Sequence, residues 1–157
     1  MLQSKNDRIK TMKRFFAFML TLGLATMSLT GHSHANPLQA KVYKDPNCGC
    51  CAIYADYLVA RDYEVEVIES DQVVQMSRMM GIPEEMQGCH LTMIEGYAIS
   101  GHVPLETIDR ILAERPEAKA YTLPGMPMGS PGMGGVKNAP FEVYQIKDST
   151  AEVYDIR

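Results

Sequence analysis

Three of the four cysteines in this 157-residue chain fall within four positions, Cys48-Gly49-Cys50-Cys51. Thiolates packed this closely suit two jobs, holding a soft metal ion or exchanging disulfides. The fourth cysteine, Cys89, lies far along the chain beside His90. Soft thiolates select Cu(I) over Mg, Ca or Mn. Adjacent Cys50 and Cys51 cannot easily serve one tetrahedral ion, so these residues read as a copper site in which thiolates bridge several ions. Three alternatives stay open on residue types. Two structural disulfides fit an even cysteine count in an exported chain. Disulfide exchange fits the Cys-x-x-Cys of Cys48 and Cys51. A structural zinc site usually presents two spaced cysteine pairs, and only one is here.

His90 gains weight from its neighbour Cys89 and reads as a metal ligand. His102 is weaker, with a surface or capping role as its plainer reading. Eight methionines follow residue 35. Met76, Met79, Met80, Met86 and Met93 read as core and helix-face residues. Met126, Met128 and Met133 lie in a Pro/Gly loop that cannot form a regular core segment. A thioether is a soft ligand, so Met126 and Met128 are candidate copper ligands, with a hydrophobic cover over the site as the alternative. No Gly-x-Ser-x-Gly, phosphate loop or His-Glu-x-x-His occurs, so the chain carries no hydrolase signature. Pairing Cys89 or Cys51 with His90 or His102 as a cysteine protease rests on residue types alone. No catalytic residue is assigned, and redox work at the Cys-x-x-Cys is the enzymatic alternative.

The elements that must position these residues are legible in outline. Ala40 to Lys44 reads as a strand, and Asp45-Pro46-Asn47 as a turn. Cys50 to Arg61 reads as a helix with Ala52, Ile53, Tyr57, Leu58 and Val59 on its apolar face. Tyr63 to Ile68 alternates as a strand does. Asp71 can cap a second helix through Val73, Val74, Met76 and Met80, stopped at Gly81 and Pro83. His90 to Glu95 and Tyr97 to Ser100 form a hairpin at Gly96. Pro104 opens a third helix carrying Leu105, Ile108, Ile111 and Leu112, which Arg115-Pro116 ends. Residues 123–135 form a Gly/Pro/Met loop. Phe141 to Ile146 reads as a last strand and Ala151 to Ile156 as a tail. The order strand, helix, strand, helix, hairpin, helix is thioredoxin-like. In such folds a redox Cys-x-x-Cys opens the first helix directly after a strand, where Cys48 to Cys51 stand. The helix N-terminus favours a thiolate there. The same order sets Cys89-His90 in the loop facing the cluster.

The N-terminal segment has a different character. Lys10, Lys13 and Arg14 precede an apolar run, Phe15 to Leu29, and Ser33-x-Ala35 is a small-x-small cleavage pattern. Residues 1–35 therefore read as a secretory signal peptide cleaved near Ala35, and residues 36–157 as one domain. The run of about 15 residues falls short of the ~20 a membrane span needs, so an uncleaved anchor is the alternative. Beyond Ala35 the chain holds 10 Lys and Arg against 18 Asp and Glu, a net charge of −8. An acidic exported domain is a poor partner for nucleic acid or an anionic membrane.

The chain resembles the CopG-type periplasmic copper-resistance proteins, a predicted metal-binding family. The matching residues are Val42-Tyr43-Lys44, Cys48-Gly49-Cys50-Cys51, Cys89-His90, Gly96-Tyr97, Gly101-His102-Val103-Pro104, and the segment from Pro124 to Met133. The resemblance runs from about residue 40 to 146. It implies a thioredoxin-like fold in the periplasm that binds copper through cysteine thiolates as a multinuclear cluster. Its implied partners are copper ions and a periplasmic copper donor or acceptor protein.

Overall fold

A computed structural model describes residues 37–157. The export segment expected over residues 1–35 lies outside the described residues. The described residues build a mixed α/β fold with one seven-stranded sheet and three helices. Strand β1 (Gln39–Lys44) leads into helix α1 (Gly49–Val59), and β2 (Glu64–Glu69) returns parallel beside β1. Helix α2 (Val73–Met79) and a 3-10 turn (Glu84–Met86) lead to the hairpin of β3 (His90–Ile94) and β4 (Tyr97–Ser100). Helix α3 (Leu105–Glu114) follows, then β5 (Ala120–Thr122), β6 (Glu142–Lys147) and β7 (Thr150–Ile156). The order across the sheet is β2-β1-β3-β4-β5-β6-β7. No helix among the described residues is long and apolar enough to cross a membrane.

Both faces of the central strands are covered, and β3 is apolar or buried at every position for that reason. Alternation then sorts its side chains. Ile94 joins Ala40, Val42, Leu58, Ile99, Ile108 and Ile111 in a core beneath α1 and α3. Leu91 joins Val73, Ile82, Ala98 and Ile146 in a second core beneath α2. A fully buried Leu or Ile in either core contributes about 1.5–3 kcal/mol. His90 and Thr92 share the Ile94 side by period two, and Met93 shares the Leu91 side.

Three expectations need correction. The buried stripe of α1 is Cys51, Tyr54, Ala55 and Leu58, whereas Ile53 and Val59 are more than half exposed. The helix is rotated to turn Cys51 inward, which a count of apolar residues does not register. Asp71 does not cap α2; Gln72 holds the cap position, and the Gln72 N–H donates to Ser70 Oγ at 3.1 Å. The C-terminal tail is strand β7, paired antiparallel to β6 across Glu142–Lys147, with a bulge at Val143/Tyr144. Strand β5 has no sequence signal, because its three residues are too few to show a period.

Candidate metal centre

The approach to the cysteines is a braced turn. The ammonium of buried Lys44 donates to the carbonyls of Asp45 and Pro46 at 3.0 and 3.2 Å and pairs with Glu69 at 3.6 Å. The Asn47 N–H donates to Asp45 Oδ1 at 2.8 Å, and the Cys48 N–H to the Asp45 carbonyl at 3.0 Å. Cys48 is the N-cap of α1 and makes no side-chain capping bond, so the first-turn N–H groups are not satisfied by a capping side chain.

Cys48 and Cys51 are joined in a disulfide, while Cys50 and Cys89 are free thiols. Cys50 Sγ lies 3.5 Å from Cys48 Sγ and 3.9 Å from Cys89 Sγ. Cys89 Sγ lies 3.3 Å from Cys51 Sγ. All four sulfurs fall within 4.8 Å of one another. The fold therefore does bring Cys89 to the cluster, across 38 residues of sequence from Cys51.

Cys89 is held by a close backbone approach. A Cβ on Gly88 would stand 2.4 Å from the Gly101 Cα, so only glycine permits this contact. The Gly88 N–H donates to Ser100 Oγ at 2.8 Å and the Gly101 N–H to the His90 carbonyl at 3.1 Å. The same contact delivers His102, whose Nε2 lies 3.4 Å from Cys89 Sγ. His90 Nδ1 lies 3.6 Å from that sulfur. Cys89, His90 and His102 thus form a second group of candidate ligands that shares Cys89 with the first.

The two imidazoles are packed rather than solvated. Their rings meet edge to face at 4.9 Å, and Tyr54 lies 4.5 Å from His90. Tyr54 itself is anchored by its hydroxyl, which donates to the Val103 carbonyl at 2.8 Å. Burial, with His102 alongside, pushes His90 down to about 3, and burial lowers His102 too, so both rings are neutral. His102 Nδ1–H donates to the Pro131 carbonyl at 2.6 Å. That bond fixes the tautomer and leaves the Nε2 lone pair toward Cys89. His90 Nε2 is buried without a hydrogen-bond partner. Burial, then the neighbouring Cys50, pushes the Cys89 thiol up to about 12.

The Gly/Pro/Met loop folds onto this site through its backbone. Besides the Pro131 carbonyl on His102, Gly132 presses on α1, where a Cβ would stand 2.9 Å from Tyr54 N and 3.1 Å from the Cys50 carbonyl oxygen. Met126 and Met128 project into solvent, 42% and 55% exposed, with the Met128 methyl over Gly135. Met133 is half-buried.

Sequence reasoning undervalued His102. Its signal lay in Gly101-His102-Val103-Pro104, a glycine and a proline bracketing a histidine at a strand end. Lys44, Gly88 and Pro131 carry no sequence signal as supports: Lys44 braces carbonyls and Glu69 with its ammonium, and Gly88 and Pro131 act through their backbones.

A family profile described as "Protein of unknown function, DUF411" matches residues 86–133, the span holding Cys89, His90, His102 and the loop. No curated protein matches the chain. Two solved structures, forms 2 and 1 of a copper resistance protein CopG, are similar to it, with TM-scores of 0.70 and 0.69. Each is 33% identical, and the match covers 77% of this chain and 98% of that one. With that identity sustained along nearly the whole of those proteins, the chain belongs to the CopG family.

Proposed function

We propose that this chain is an exported, periplasmic copper-binding protein acting in copper resistance. In this reading it holds Cu(I) through Cys48, Cys50, Cys51 and Cys89, with His90 and His102 completing the site. The observation that carries it is the meeting of four sulfurs within 4.8 Å, with Cys89 shared between them and two neutral imidazoles. A sulfur common to two ligand groups is what a multinuclear arrangement needs. The tautomer of His102 leaves its Nε2 lone pair toward Cys89, where a soft cation would take it, and neutral His90 presents Nδ1 3.6 Å from the same sulfur. The copper resistance proteins to which the chain is similar support copper as the ion. The scaffold we read as thioredoxin-like, since the β2-β1-β3-β4 part of the sheet has that strand order and the cysteines open α1.

Copper loading requires that the Cys48–Cys51 bond be open. Two electrons and two protons from a thiol reductant convert it to two thiols, and a soft cation then displaces their protons. The remaining sulfurs need no rearrangement of the chain, because they are already in contact. Met126 and Met128 fit a transfer role at the exposed loop, where a donor or acceptor protein could reach them.

A second reading has its own observation. The closed disulfide has a third thiol 3.3 Å from Cys51 Sγ. Attack by a Cys89 thiolate on Cys51 would form a Cys51–Cys89 bond and release the Cys48 thiolate, the chemistry of a thiol-disulfide oxidoreductase. Against it stands Cys89 itself, whose thiol is pushed up to about 12 and is a poor nucleophile at neutral pH. A metal ion overcomes that same barrier by replacing the proton.

Metal analysis separates the two. Protein purified from copper-loaded cells should carry several copper ions per chain and reduce disulfide substrates poorly. Little or no copper, together with rapid disulfide turnover, would transfer the assignment to the second reading.

A further inference from the structure

The opposite face of the sheet holds a second collection of sulfur. A groove of about 230 Å³ is lined by Tyr43, Met76, Met79, Met80, Leu91 and Met93, so four of its six residues are methionines. They come from two elements. Met76, Met79 and Met80 share one side of α2 and its cap by three- and four-residue spacing. Met93 stands on β3 two residues from Leu91, which pairs directly with Tyr43. The cysteine cluster belongs to the other face, beside the core under α1 and α3.

Simple core filling explains part of this group. Met76, Met80 and Met93 pack partly against the second core. It does not explain Met79, which is 79% exposed and still lines the groove. Among the lining residues there is no carboxylate or imidazole, so a hard cation finds no ligand. The nearby basic side chains are neutralised: Arg78 pairs with Glu84, and Lys41 pairs with Glu66 at 3.0 Å. What remains is a set of neutral, polarisable sulfurs and one aromatic ring, which suit a soft monovalent cation.

We propose that Met76, Met79, Met80 and Met93 form a second site, a thioether site for one Cu(I) or Ag(I) ion, separate from the cysteine cluster. Its chemistry differs from that of the cysteines in two ways. A thioether has no proton to lose, so binding does not depend on pH near neutrality. It also forms no disulfide, so the groove keeps its ligands under conditions that close Cys48–Cys51. The site is weaker and more open, which suits pick-up and release.

The test uses full-length mature protein with ¹³C-methyl methionine, Cys50→Ser and Cys89→Ser, and the Cys48–Cys51 disulfide closed. Ag(I) is the probe. One equivalent should shift the methyl signals of Met76, Met79, Met80 and Met93 together and leave Met126 and Met128 in place. Shifts that follow exposure across every methionine, or no shift at all, overturn the proposal. Uptake of an apolar peptide without Ag(I) binding overturns it too. Replacing all four methionines with Leu should remove that equivalent. Should that variant not fold, Met79→Leu alone changes an exposed side chain and should lower Ag(I) affinity about tenfold; unchanged affinity overturns the proposal. Thiolate-to-copper absorption of the reduced parent reports the cysteine cluster separately, so failure of either site is read without the other.

Discussion

The two faces of the sheet handle sulfur in opposite ways. Beneath α1 the cysteines converge from a helix start and a strand start, on imidazoles that are fully buried. Beneath α2 the methionines line an open groove from one helix side and one strand. The first arrangement is closed and braced by Lys44, Gly88 and the Pro131 carbonyl. The second has no such bracing. The difference is one of ligand chemistry. Cysteines must be reduced and must lose a proton before they bind as charged thiolates, so they repay a fixed and partly dry setting. Thioethers are neutral and weak, and can be left in the open.

The largest contrast should come from redox state. Opening Cys48–Cys51 with a thiol reductant should raise Cu(I) capacity to several ions per chain, whereas the closed form should keep, besides the weak groove site, at most one ion at Cys50, Cys89 and the imidazoles. Equal capacities in the two states, read by chelator competition, would erase the distinction between the faces.

Next in size are the glycines that brace the cysteine face. Gly88→Ala drives a methyl group into the Gly101 backbone, and Gly132→Ala drives one into α1 from a left-handed φ of +80°. Each should cost about 1–3 kcal/mol in denaturant unfolding, with Gly132→Ala also loosening His102 through Pro131. Gly134→Ala meets nothing within 4 Å and serves as the silent control.

A smaller effect follows from His90. Its value falls from 6.5 to about 3 on folding, so the folded state refuses a proton that the unfolded state accepts. The stability of metal-free protein is then full above pH 6.5 and is lost as pH drops toward 3. The groups facing it are Cys89, His102 and Tyr54, and none is a carboxylate. The slope is at most about 1.4 kcal/mol per pH unit from this residue. His90→Gln should flatten the profile below pH 6.5 by about that much; an unchanged profile would mean that His90 does not titrate between the two states.

The smallest effect concerns the loop. Changing Met126, Met128 and Met133 together to Leu keeps apolar bulk and removes sulfur. Copper capacity should hold, while transfer to a chelator slows and growth in copper falls modestly. If transfer and growth match the parent, the loop is a cover and its sulfur carries no copper chemistry.

The sequence revealed the cysteine face far better than the groove. Cys48 to Cys51 announce themselves by spacing, and the strand before them and the helix after them have clear signals. Those signals also placed Cys89 correctly, because the element order alone sets β3 beside β1. His102 and the supports are hidden because a backbone approach too close for a Cβ on Gly88 and a carbonyl bond leave no residue-type signature. The methionine groove was hidden for another reason. Met76, Met79, Met80 and Met93 have a helical or strand period that fits a core, and only burial separates a core methionine from an exposed one. The rotation of α1 was misjudged in the same way, since Ile53 is apolar yet faces water.

The central claim is that Cys89 completes a four-sulfur copper site. Cu(I) titration of the reduced protein against a competing chelator tests it most directly, comparing the parent with Cys89→Ser. A hydroxyl is harder and far less acidic than a thiol, and Cys89 touches Cys50, Cys51 and His102 at once. The account predicts several tightly held ions in the parent and a sharp fall in the variant, with the fold intact by circular dichroism. Equal capacity and affinity in the two proteins would contradict it.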